Sequence, residues 1–176
     1  GEYVDRAILM SVEGPNHTVK LPSVVQRHLE MLNDLVKADS ELSQHIPDFI
    51  GLVQEVLDSL EKQPVTVEVS DPEIGEQVFV TVGKLDLQIL TSDALGRIDL
   101  RALPAHYHAM SQGDFSWLAK GALSNRVDAK ANIMPLIVDR ASGATRERRD
   151  QVRIESSRAT LGGAINGIEP EIGDVL

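Results

Sequence analysis

The sequence contains no cysteine, which excludes a disulfide framework, a thiolate nucleophile and a zinc-thiolate site. Aromatic residues make up only 3% of it. The interior must therefore be built from Leu, Ile, Val and Ala, as packed helices are, and there is little to stack nucleic-acid bases on. No apolar run approaches the ~18 residues that a membrane span requires, and the opening GEYVDR has neither the basic segment nor the apolar segment of a secretory signal. Basic charge is outnumbered: 17 Lys and Arg stand against 27 Asp and Glu, for a formal net charge of −10. Such a chain repels phosphate backbones and anionic membrane surfaces. Neither a nucleic-acid partner nor a membrane span is expected, and nothing calls for a cofactor. A phosphate loop is missing too, because TLGGAING fits neither the dinucleotide fingerprint nor GxxxxGK and follows no strand. No serine sits in a GxSxG elbow. These absences leave the cellular location open.

What is present is helical periodicity. In 176 residues, 42% of them hydrophobic, there is enough chain for one domain with a sizeable core. The run Ala7, Ile8, Leu9, Met10, halted by Glu13-Gly14-Pro15-Asn16, reads as a strand covered on both faces, a kind found in parallel sheets. No companion strands follow. Instead Leu21, Val24, Val25, Leu29, Leu32, Leu35 and Val36 recur at helical spacing, with Pro22 acceptable in a first turn. A second stripe, Ile50, Val53, Leu57 and Leu60, starts after Pro47 and is ended by Pro64. VTVEVS and QVFVTV alternate with period two around DPEIGE, which predicts a hairpin over about 65–82. Helical spacing returns from Leu85, punctuated by Pro104 and Gly113, and the tail opens as a charged helix before turning irregular. The expected fold is mainly α, with a small hairpin and one isolated core strand.

Few residues announce chemistry. His106 and His108 stand two apart, which on a helix points them to different faces, whereas a shared metal needs a spacing of three or four. His17, His28 and His45 have no carboxylate pattern around them that suggests an acid-base pair. The arginines of 140–153 are interleaved with Glu147 and Asp150, as on a solvated helix face. Two carboxylates stand out. Glu13 lies at the carboxyl end of the apolar strand, the edge where open α/β sheets bind ligands. Glu169 lies in the apolar, Gly- and Pro-marked stretch AINGIEPEIGD. A hydrogen bond to a nearby turn is the plain alternative for each.

The order of the pieces resembles a known family. EYVDRAILMSVEGPNHT is similar to the strand after the nucleophile helix in α/β-hydrolases, with Pro15 at its terminal proline. LPAHYHAMSQGDFSWLAK resembles the helix-GD turn-helix in the lid, or cap domain, of the branch that includes tripeptidyl aminopeptidases and proline iminopeptidases. VTVEVSDPEIGEQVFVTV resembles the lid hairpin of that branch. The resemblance implies that residues 1–18 belong to a hydrolase core sheet and 19–176 to a helical lid. It places the nucleophilic serine and oxyanion loop before residue 1, and the catalytic acid and histidine after residue 176. It implies a parent serine hydrolase that releases N-terminal residues from small peptides or cleaves esters, with the catalytic core as the chain's main partner. These residues alone would carry no catalytic group and be inactive. It also sets AINGIE on the motif closing the lid, with Glu169 as a candidate for recognising a substrate α-ammonium; Gly167 and Pro170 depart from that motif. Glu13 is a weaker candidate, either pinning the strand-to-lid turn or acting as a displaced triad acid. The competing expectation is an autonomous helical adaptor domain. Without the sheet of that hydrolase core, Ile8, Leu9 and Met10 would expose an apolar surface that invites pairing between copies.

Overall fold

The computed structural model describes residue 14 and residues 16–96, 100–131 and 143–166. The expected strand at Ala7 to Met10 lies outside the described residues. So do Glu13 and Glu169.

The described chain is mainly helical with one two-stranded antiparallel sheet. In chain order it forms α1 (Pro22–Ala38), α2 (Leu42–His45), α3 (Phe49–Lys62), β1 (Val65–Ser70), β2 (Gln77–Val82), α4 (Lys84–Leu95), α5 (Leu103–Ser111), α6 (Ser116–Ala131) and α7 (Arg146–Ser156). Short 3-10 turns at Leu100–Ala102 and Asn166's own segment, Ala164–Asn166, accompany them. The hairpin pairs Val65 with Val82 and Ser70 with Gln77. Its period-two pattern puts Val65, Val67, Val69, Val78, Val80 and Val82 on the side covered by α6. Thr66, Glu68, Phe79 and Thr81 face outward, and Phe79 is 74% exposed.

The stripe in α1 is divided by the structure. Val25, Leu29, Leu32 and Val36 enter the core, while Val24 and Leu35 remain on the surface. A helix turns 100° per residue, so two neighbouring apolar columns cannot both face one core. The second expected helix starts past Pro47, as its stripe implies: α3 begins at Phe49, and a separate short α2 ends at His45 ahead of the proline. Proline disfavours helical backbone in the residue before it, which is where the chain opens out.

Two of the described helix starts are completed from a different helix. Leu21, before α1, offers no side-chain cap, and the Ser23 amide donates instead to Glu155 Oε2 of α7 at 3.0 Å. At α3 the amides of Phe49 and Ile50 donate to Asn33 Oδ1 of α1, at 3.1 and 3.4 Å. Asn33 is buried among the apolar residues of its helix. Its carbonyl oxygen is what lets α1 meet the start of α3 without stranding buried donors.

Three of the carboxylates that serve helix starts are held below their usual pKa. The Leu42 and Glu41 amides do this for Asp39. For Asp114 the cause is the Ser116 hydroxyl and amide. For Glu155 burial pushes upward most strongly, but Ser23, Gln151 and Arg148 together outweigh it. A depressed carboxylate contributes stability that is complete above its unfolded pKa and is lost as pH falls through the folded value. The melting temperature is therefore expected to hold near neutrality and to fall below about pH 4, the ordinary carboxylate range. A pH series of thermal melts checks this; an acid limb no steeper in the wild type than in Asp114→Asn would deny Asp114 its share.

Behind α3 the core holds a buried pair of hydroxyls. Tyr107 Oη and Thr91 Oγ1 lie 2.7 Å apart, joining α5 to α4. Burial raises the phenol pKa, and the bond to Thr91 opposes that only in part. Tyr107→Phe leaves a buried threonine hydroxyl without its partner and is expected to cost about 1–2 kcal/mol. Adding Thr91→Val should recover most of that loss, because two apolar groups of like shape replace the pair. Urea unfolding of both singles and the double gives the coupling.

Candidate functional site

The α5-α6 corner brings the helices together. Gly113 has φ 94°, a left-handed backbone that favours glycine, and its amide donates to Met110 O at 3.0 Å. Asp114 then returns its own amide to Ala109 O, and its Oδ1 accepts from the Ser116 amide at 2.9 Å, starting α6. The Gly-Asp pair is thus a helix stop followed at once by a helix start. Further along α6, Gly121 meets Leu90 of α4 so closely that an added Cβ would lie 2.5 Å from Leu90 Cδ2. Lack of a side chain there sets the spacing of α4 and α6.

Between α4, α5 and α6 this spacing leaves an open cleft of about 260 Å³. Leu90, Leu103 and Gly121 supply apolar lining, while Asp93, Ser124 and Asn125 supply polar lining. One wall is aromatic: His106 stacks on Trp117, with ring centroids 4.5 Å apart and planes 11° from parallel. An aromatic wall beside an amide and a hydroxyl suits a small planar or amide-bearing group.

The histidines are separated as their spacing predicts. His106 turns into the cleft wall, whereas His108 lies on the other side of α5, its ring 6.2 Å from that of His45. Among the described residues no three His, Asp or Glu side chains converge as a metal site would need. Nor is any described helix long and apolar enough to cross a membrane.

A second constellation joins the two ends of the described fold. Lys20 N donates to Asn166 Oδ1 at 2.7 Å, and Asn166 Nδ2 donates back to Lys20 O at 3.0 Å. Thr145 N donates to Asn16 Oδ1 at 2.9 Å, and Arg148 Nε to Val19 O, also at 2.9 Å. The Ser23-Glu155 bond and a bond from Thr160 N to Gln26 Oε1 at 3.0 Å continue the series into α1. Segments 16–26 and 145–166 therefore lie side by side, zipped through atoms more than a hundred residues apart in sequence.

The sequence hides both places. Asn33, Asn166 and Asn16 are lone polar residues whose partners are remote, and no local pattern marks them. His106 and Trp117 are drawn together only by the corner at Gly113. Comparison with protein-family models, with curated proteins and with solved structures found no match.

Proposed function

We propose that this chain is the lid of a serine α/β-hydrolase: a helical insertion that covers an acyl-transfer site, shapes its pocket, excludes water and gates access. The observation that carries this reading is the junction of segments 16–26 and 145–166. An insertion must leave its host and return at neighbouring points, and a reciprocal pair such as Lys20 with Asn166 holds the two passages together. The helix-GD turn-helix and the hairpin, both built as the resemblance expects, support the same reading.

The parent reaction would be hydrolysis of an amide or ester through a serine acyl-enzyme, with the serine, its base and the acid supplied by the host domain. Peptide amino termini are the favoured substrate class. Glu169 would pair with the α-ammonium, since a carboxylate in an apolar cavity selects a cation and rejects neutral groups. Glu169→Gln in the complete enzyme is expected to raise KM for substrates with a free amino terminus about tenfold, equivalent to about 1.4 kcal/mol of pairing. Blocked substrates should be unaffected. Equal kinetics for both substrate types would remove Glu169 from recognition.

The test of the whole reading is the flanking reading frame. A GxSxG elbow upstream, a Gly-Asp and a His downstream, and labelling of that longer polypeptide but not of the 176-residue chain by a fluorophosphonate are the expected results. A start and a stop codon bracketing these residues would favour the second reading, a free-standing adaptor. That alternative draws support from the core, which the described residues fill from their own side chains.

A further inference from the structure

The surface column of α1 is apolar at three of four positions, at the spacing that helix pairs use. Val24, His28, Met31 and Leu35 follow one another by four, three and four residues, within a narrow arc of the helix. Val24 is 38% exposed, Met31 63% and Leu35 62%. The column is about 17 Å long at 1.5 Å per residue. It runs beside the column that feeds the core, so one flank is closed by the module itself. The open flank carries Arg27 and Asp34, both exposed and neither ion-paired among the described residues.

We propose that this face of α1 binds the same face of a second copy of the chain, with the two helices antiparallel. The occupant follows from the charges. When Val24 is set opposite Leu35 of the second copy, and His28 opposite Met31 of the second copy, the flank position 27 comes to face position 34 across the two-fold axis. Arg27 then meets Asp34 of the second copy, and symmetry makes the contact twice. A parallel pairing instead turns both charges toward the flank of Val25 and Leu32, which are buried in their own core and offer no counter-charge. The antiparallel arrangement thus covers the apolar column and pairs both isolated charges. It is independent of the lid reading, because a hydrolase lid and a free adaptor would present the same helix.

The seam is short, so a dissociation constant on the order of 10 μM is expected, at the weak end of specific interfaces. Sedimentation equilibrium of the 176-residue chain, with far-UV circular dichroism to check folding, tests it. The expected results are a monomer-dimer equilibrium, loss of the dimer in Leu35→Glu, and at least about a tenfold weakening in Arg27→Asp, which sets like charges against each other. The double variant Arg27→Asp with Asp34→Arg should return to within about threefold of the wild type, because the pair is restored with its polarity reversed. A monomer at several hundred micromolar overturns the proposal. So does a dimer indifferent to Leu35→Glu and Arg27→Asp, which would place the contact elsewhere. A double variant no better than Arg27→Asp alone would overturn the antiparallel pairing.

Discussion

Phe49→Ala is expected to destabilise the fold by about 3–5 kcal/mol, the range for truncating a fully buried aromatic side chain. Phe49 is the first residue of α3, has no exposed surface, and meets the Tyr107 ring edge-on at 5.5 Å and 87°. That contact lies where α3 packs on α5. Alanine would remove the ring, leave a cavity that the two helices cannot close without shifting, and deprive Tyr107 of its aromatic neighbour. Phe79→Ala is the matched control. The same atoms are deleted there from the outward face of β2, and the change should stay within about 0.5 kcal/mol. Urea unfolding of the two variants reads the difference directly. Equal losses would mean that α3 and α5 are not held by this contact.

Asn33→Leu comes next, with an expected loss of about 2–3 kcal/mol, because one apolar substitution orphans the buried Phe49 amide and weakens the support of the Ile50 amide. Leucine keeps the branched outline but is bulkier, so overpacking strain adds to the loss. Asn33→Asp retains the acceptor and adds negative charge near the positive end of α3, and it should cost less than leucine. Amide exchange locates the damage: protection at Phe49 and Ile50 should fall first in the leucine variant. Unchanged protection there would mean that water replaces the asparagine.

The periodic parts of this fold were legible in the sequence, and the singular ones were not. The alternation in 65–82 fixes the hairpin because a two-residue repeat has one buried face. The columns of α1 and α3 are equally readable in kind. What periodicity could not decide is which of two adjacent α1 columns the core accepts, since Val24 and Val25 are the same residue type one position apart. The core takes the column of Val25, Leu29, Leu32 and Val36 and leaves out the one interrupted by His28, with Asn33 on the core side meeting the start of α3. The cleft was less legible still. Its aromatic wall depends on the angle at Gly113 and on the bare backbone of Gly121, and each is a tertiary consequence of a residue without a side chain. The two carboxylates singled out from the sequence, Glu13 and Glu169, drew attention by their positions and took their roles from the family resemblance, and neither falls among the described residues.

The zip between 16–26 and 145–166 gives the module one stalk instead of two posts. A body tethered at separated points resists turning, because any swing stretches one tether. One whose two tails depart from a single knot can pivot about it with neither tail pulled taut. A host joined at both residue 16 and residue 166 would hold the module at one place, about which the whole unit could turn without breaking its interior.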